Sequence, residues 1–103
     1  MYVVIFKAKM REVDEEYHLS AKRMRELAFE RYNCLDFTSV CEDDNEVSIS
    51  YWESEDDIKA WKENDEHLRA QELGRKKWYE SYTVEIAKTL DKKTWKLKYE
   101  TAI

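Results

Sequence analysis

The chain has 103 residues, of which 14% are aromatic and 40% are charged, and its formal net charge is −5. This length fits one domain, and the aromatic content is too high for a disordered chain. The negative charge disfavours binding to nucleic acid, whose phosphates it would repel. No apolar run approaches the roughly 20 residues that a membrane span requires, so we expect no membrane partner.

The two cysteines, Cys34 and Cys41, predict free thiols. On one extended strand they would lie roughly 20 Å apart, beyond the ~7 Å Cα separation that a disulfide allows. Free thiols persist in a reducing compartment, so we expect a cytoplasmic protein. No histidine or cysteine cluster accompanies them, and we expect no metal site.

The first predicted strand spans residues 2–10. Every second residue of it falls on one face: Tyr2, Val4, Phe6, Ala8 and Met10. Val3 and Ile5 make the opposite face apolar as well. A half-exposed strand alternates apolar with polar residues, so this strand is expected to be covered on both sides.

A helix is predicted to begin after Asp14, which can cap its N-terminus, and to end near Asn33, which tolerates a left-handed conformation. Residues 35–41 and 47–51 predict two strands joined by an acidic turn over residues 42–46. Ser54 then opens a capping box, followed by a helical region to about residue 79 with a break near Asn64. Residues 82–86 predict a fourth strand.

This order predicts an α+β, ferredoxin-like split βαβ fold with an antiparallel sheet and both helices on one face. Residues 1–90 would form the domain. Residues 91–103 would form a C-terminal extension with an extra strand, because Trp95, Leu97 and Tyr99 alternate with Lys96, Lys98 and Glu100. The other sheet face then needs a cover, and we expect a homodimer that packs sheet on sheet.

A family resemblance rests on four segments of the second half: residues 50–54 (SYWES), 58–62 (IKAWK), 66–71 (EHLRAQ) and 74–82 (GRKKWYESY). Their pattern resembles the antibiotic biosynthesis monooxygenase-like domain of the dimeric α+β barrel superfamily. The resemblance implies a monooxygenase-like protein that acts on an aromatic small molecule without metal or organic cofactor. Other members of the superfamily bind haem through a helical histidine and degrade it, so haem is the alternative cofactor.

Candidate site residues come from the same stretch. His67, Gln71, Gly74 and Trp78 are spaced for one helical face. His67 is the best catalytic candidate, although a purely structural role is equally compatible with its surroundings. Trp52 and Trp61, together with His67 and Gln71, are the candidate substrate-binding residues, because small-molecule sites are mostly aromatic with few polar groups. Trp78 and Tyr82 are instead expected in the core.

Gly74 is the only glycine, and glycine inside a helix costs roughly 1 kcal/mol relative to alanine, so we expect something to pack closely there, either a neighbouring helix or strand or a ligand. Two features depart from the haem degraders: strand one carries no asparagine, and Trp61 and His67 are close together in the chain. A homodimeric binding module without catalysis is the third possibility, since fold does not fix chemistry.

Overall fold

The computed structural model describes residues 1–98, which form a four-stranded antiparallel sheet with the helices packed on one face. The elements are β1 (Tyr2–Met10), α1 (Glu15–Arg31), β2 (Asp36–Glu42), β3 (Asn45–Trp52), α2 (Glu55–Glu63), α3 (Asp65–Leu73), a π-helical turn (Gly74–Trp78) and β4 (Tyr79–Lys88). The strand order is β2-β3-β1-β4. The predicted split βαβ arrangement is therefore confirmed.

Helix α1 begins and ends where the sequence predicts. The side chain of Asp14 accepts a hydrogen bond from the backbone N–H of Tyr17 at 2.8 Å, which satisfies one of the free donors of the first turn. The helix ends at Arg31, and Asn33 has a φ of 59°, in the left-handed region that asparagine tolerates. Both ends are thus fixed by local side-chain chemistry.

The second helical region is divided at the predicted break. Ser54 caps α2 by accepting hydrogen bonds from the N–H groups of Asp56 and Asp57. Asn64 ends α2 and caps α3, because its side chain accepts from the N–H of Glu66 at 2.8 Å. One asparagine therefore turns the chain between two short helices.

Gly74 makes the close contact that its position predicts. A Cβ atom at Gly74 would lie 2.2 Å from Cε2 of Tyr79, so the ring of this tyrosine occupies the space of a side chain. Gly74 also starts the π-helical turn, a wider helical form that occurs mostly as single turns. The glycine therefore packs against the first residue of β4.

The residue registers define two faces of the sheet. Ile86 lies opposite Val4, and Val84 lies opposite Phe6, so these four residues share the helix-side face. The opposite, outer face carries a second apolar set, most of it only partly covered within one chain: Val3, Ile5, Val40, Val47, Ile49 and Tyr51. Strand β1 thus has apolar residues on both faces, as predicted.

The core between the helices and the sheet contains two clusters. The first cluster consists of Val4, Leu27, Ala28, Cys34, Trp52, Ile58 and Trp61. The second consists of Ala8, Met10, Tyr17 and Trp78. Trp78 is 1% exposed, which confirms its predicted core position. Tyr82 is 36% exposed, so its prediction as a core residue is wrong.

The described part of the extension, residues 89–98, forms no strand within this chain. The N–H of Thr89 donates to the carbonyl of Met1 at 2.9 Å, and Nζ of Lys92 lies 4.7 Å from the ring centroid of Tyr51. The chain therefore crosses from β4 towards β1 and β3 on the outer face, away from its own β4 edge. The extra strand predicted around Trp95 is consequently not part of this chain's own sheet, and Tyr99 lies outside the described residues.

Cys34 is buried and Cys41 is exposed, and both are free, as predicted. Burial raises the pKa of the Cys34 thiol. Within residues 1–98, no helix is both long and apolar enough to cross a membrane.

Candidate functional site

The helices cover the helix-side face of the sheet unevenly. Beneath α1 and α2, Trp52 is 0% exposed and Ile58 is 1% exposed, so this half is closed. On β4, the helix-side residues remain open to solvent: Tyr82 at 36%, Val84 at 41% and Ile86 at 46%. An apolar row on the side of the sheet that carries the helices is therefore left uncovered.

A cleft of about 680 Å³ lies between α2 and β4. Ile58 and Ile86 are its apolar lining residues, and the charged residues around them are Glu55, Asp56, Lys59, Lys62 and Glu63. Small-molecule sites in proteins measure roughly 300–1,000 Å³. The cleft is therefore large enough for a flat ligand of two or three rings.

An aromatic surface lies on the same helix-side face, towards the other end of β4. The ring of Phe6 is 5.5 Å from that of Tyr79 and 5.7 Å from that of Tyr82, and the two tyrosine rings are 5.4 Å apart. Burial raises the pKa of the Tyr79 hydroxyl, which is therefore protonated at neutral pH. These rings offer stacking surface, and the hydroxyl can donate a hydrogen bond.

His67 is held by two neighbours. Its Nδ1 lies 2.9 Å from Nε2 of Gln71, and its ring packs edge-to-face on Trp61 with centroids 4.4 Å apart. An amide nitrogen can only donate, so Nδ1 accepts and the ring proton resides on Nε2. The pair predicted from the i, i+4 spacing on α3 is thus in direct contact.

The charge state of His67 follows from its surroundings. Burial, and secondarily the positive charge of Lys62, lower the pKa of His67 from 6.5 to about 4. The imidazole is therefore neutral at pH 7. Lys62 also lines the cleft, which relates His67 to the cleft although His67 is not one of its lining residues.

The two candidate tryptophans belong to the closed half. Nε1 of Trp61 donates to the carbonyl of Met24 at 3.0 Å, and Nε1 of Trp52 donates to Oγ of Ser50 at 2.9 Å. Their rings lie 5.1 Å apart. Because Trp52 is fully buried, the structure assigns it to the core rather than to a pocket wall. Trp61 is 6% exposed and contacts His67 at its edge, so its substrate-binding role stays a prediction.

Sequence reasoning missed a buried polar pair in the second cluster. The hydroxyl of Tyr17 donates to Oε2 of Glu46, which is 7% exposed. Burial and the Glu46 carboxylate raise the pKa of Tyr17. Nearby, Nε1 of Trp78 is buried without a hydrogen-bond partner among the described residues. Glu46 ends an acidic run that predicts an exposed turn, which hid its place on the helix-side face.

No three His, Cys, Asp or Glu side chains within residues 1–98 come together as a metal site. The polar groups in and beside the cleft are the imidazole of His67, the amide of Gln71, two lysines and three carboxylates. Such groups can hold an oxygen-bearing substrate by hydrogen bonds and can exchange protons with it.

Comparison of the sequence with known proteins finds a matching family and a relative. Residues 1–73 match the family described as antibiotic biosynthesis monooxygenase. The chain is 43% identical over 88 residues to the uncharacterized protein YqjZ of Bacillus subtilis (strain 168), which covers 84% of this chain and 77% of that protein.

Solved structures share the fold at low sequence identity. SnoaB, a cofactor-independent oxygenase from Streptomyces nogalater, superposes with a TM-score of 0.74 and 12% identity over 88% of this chain and 94% of that chain. Rv0793 from Mycobacterium tuberculosis superposes with a TM-score of 0.76 and 11% identity over 90% of this chain and 98% of that chain. At these identities the likeness concerns the fold alone.

Proposed function

Because this chain belongs to the antibiotic biosynthesis monooxygenase family, we propose that it is a monooxygenase that binds a flat aromatic small molecule in the cleft between α2 and β4. The observation that carries the proposal is the uncovered apolar row on β4, which adjoins a cleft of about 680 Å³. Folded proteins rarely leave adjoining apolar residues open beside a cleft unless something binds there.

The reaction that suits this site needs no metal or organic cofactor. An electron-rich aromatic substrate, written R₂CH₂, supplies both methylene hydrogens and all four electrons that reduce O₂, giving R₂C=O and H₂O. One oxygen atom enters the product, and the other leaves as water with the two hydrogens of the methylene. The protein then has to bind the substrate, exclude water and hold its oxygen atoms in place.

His67 is the proposed polar contact for a substrate oxygen, and Gln71 is its positioning residue. With Nδ1 accepting from Gln71, the Nε2–H of the neutral ring is a hydrogen-bond donor at neutral pH. Such a donor stabilises negative charge that develops on a substrate oxygen as a proton leaves. Trp61 limits the rotation of the imidazole by packing against it at 4.4 Å.

We further propose that the protein works as a cytoplasmic homodimer formed through the outer face of the sheet. The support is the apolar set on that face, in which Val40 is 60% exposed in the single chain. Two such faces packed together would bury both sets, as in aligned sheet packing. The equivalence of the two surfaces would give a two-fold axis.

Haem, the alternative cofactor, does not fit the described residues. The charged lining of the cleft consists of two lysines and three carboxylates, so its net charge is negative and disfavours the haem propionates. Hemin titration followed at the Soret band should therefore show no saturable site that His67→Ala removes.

The experiment that tests the proposed function measures oxygen uptake with a dihydroxyanthrone, a tricyclic substrate with an activated methylene, in the presence of a metal chelator. We expect uptake above the spontaneous rate, and at least a tenfold loss in Ile86→Glu, which puts a charge into the cleft. The matched control is Leu19→Glu, the same kind of change at an exposed apolar residue of α1. Equal rates for all proteins and for buffer alone would reject the oxygenase and favour a binding module.

A further inference from the structure

The extension carries the two most exposed large apolar side chains of the described residues, and a third lies close to them. Leu90 is 96% exposed, Trp95 is 79% exposed and Leu97 is 52% exposed. Large exposed apolar side chains close together mark contact surfaces. In extended conformation Trp95 and Leu97 would lie on one side and Lys96 and Lys98 on the other, which is the pattern of a strand with one covered face.

The path of the extension excludes its own β4 as a docking edge. The bond from Thr89 to Met1 continues the β1–β4 ladder, and just beyond it Lys92 reaches the ring of Tyr51 on the outer face, so the chain leaves β4 across that face. A second copy packed on that face would lie beside the extension. The surface that the extension meets is therefore on the other copy.

One edge of the sheet matches the extension in chemistry. β4 is an edge strand, and no strand within residues 1–98 pairs with its far side. Its helix-side face carries the open row Tyr82, Val84 and Ile86, and its outer face carries Glu85. A strand with apolar residues on one side and lysines on the other complements both faces, since opposite charges on neighbouring strands attract.

The second edge strand, β2, fits less well. On its helix-side face Phe37 already packs against the first core cluster. On its outer face Val40 is the one apolar residue left largely exposed. β2 therefore offers no row of open apolar residues for Trp95 and Leu97.

We propose that residues 94–98 of one copy pair as a fifth strand with the β4 edge of a second copy, so that Trp95 and Leu97 lie over Ile86 and form a wall of its cleft. The proposal rests on the homodimer proposed above. The substrate site would then be formed by residues of two chains, because one copy alone leaves the β4 side of the cleft open. It also protects an edge that would otherwise invite uncontrolled pairing.

Cross-linking between differently tagged copies tests the pairing. Copies carrying Ile86→Cys and copies carrying Leu97→Cys, both with Cys41→Ser, would be co-expressed and treated with a short bis-maleimide. We expect a cross-linked pair that contains both tags. The matched control replaces Ile86→Cys by Val40→Cys on β2 and should give at least fivefold less product. A stronger link to Val40 than to Ile86, or no link in a proven dimer, would overturn the inference.

Sedimentation of the full chain separates this inference from the one it rests on. A monomer at micromolar concentration would reject the homodimer and, with it, the shared site. In a dimer, the double variant Trp95→Ala/Leu97→Ala should weaken dihydroxyanthrone binding at least fivefold, whereas Leu90→Ala, outside the paired segment, should leave it unchanged. Unchanged binding in the double variant would overturn the shared site while leaving the dimer in place.

Discussion

The two halves of the helix-side face carry the same kind of residue but have different surroundings. On the β3 side, Trp52 is packed under α2 with 0% exposure and contacts Trp61. On the β4 side, Val84 and Ile86 stand on the same face with 41% and 46% exposure. The apolar residues of the first half stabilise the fold, whereas those of the second half are available to a ligand or a partner.

The difference arises from where the helices end. Helix α1 contributes Leu27 and Ala28 to the first cluster, and α2 contributes Ile58 and Trp61. Beyond them the chain turns at Asn64 into α3, which contributes no fully buried residue. The helical layer is thus tight at one side of the sheet and open at the other.

The largest expected effect is in the closed half. Trp52→Ala should lower the free energy of unfolding by about 3–5 kcal/mol, because it removes a fully buried ring and leaves a cavity. The matched change in the open half, Ile86→Ala, should cost less than about 1 kcal/mol. Urea denaturation measures both, and similar losses at the two positions would contradict the division into closed and open halves.

The next largest effect on stability is expected at the buried hydrogen-bonded pair of Tyr17 and Glu46. Tyr17→Phe removes the donor to Glu46 and leaves its carboxylate buried without that hydrogen bond, which should cost about 1–3 kcal/mol. Glu46→Gln in the Tyr17→Phe background should recover part of the loss, because an amide is cheaper to bury than a charge. Thermal unfolding of the two variants checks this, and a Tyr17→Phe protein as stable as the parent would show that the pair is not closed to water.

Gly74→Ala tests the close packing at the start of β4. The added Cβ would meet the ring of Tyr79, which has to move from its present contact with Phe6. We expect a loss of about 1–2 kcal/mol from the overpacking, with a change in tyrosine fluorescence. In the double variant Gly74→Ala/Tyr79→Ala, most of this loss of unfolding free energy should disappear. A loss that persists would have its cause in the π-helical backbone instead.

The pH dependence of stability tests the burial of His67. Its pKa of about 4 lies below the usual 6.5, so the unfolded state binds the proton more tightly. The stabilising contribution of the neutral ring is complete above pH 6.5 and is lost as the pH falls towards 4, by on the order of 1–2 kcal/mol. His67→Gln should flatten this part of the urea midpoint-versus-pH curve, and a slope unchanged from the parent would mean that the ring is open to solvent.

Local elements could be predicted from the sequence because local side chains determine them. Asp14 and Ser54 cap helices, Asn33 and Asn64 turn the chain, and Gly74 packs against a ring, all within a few residues. The resemblance also gave the correct family. These features need no knowledge of which elements meet in space.

The position of the open surface could not be predicted in this way. Apolar alternation is the same in a strand covered by a helix and in one beside an open cleft. The pattern therefore predicts a pocket position for Trp52 and a core position for Tyr82, whereas the structure buries Trp52 and exposes Tyr82. Glu46 was hidden in an acidic run that predicts a turn. Coverage depends on where α2 and α3 lie over the sheet, which is a long-range property.

The most direct test of the central claim is a methyl NMR titration of the full chain with a dihydroxyanthrone under anaerobic conditions, so that binding occurs without turnover. We expect saturable shifts at the methyl groups of Ile58, Val84 and Ile86, and none at Leu19 on the exposed surface of α1. Shifts confined to the outer-face residues Val40 and Ile49, or no saturable shift, would contradict a ligand site between α2 and β4.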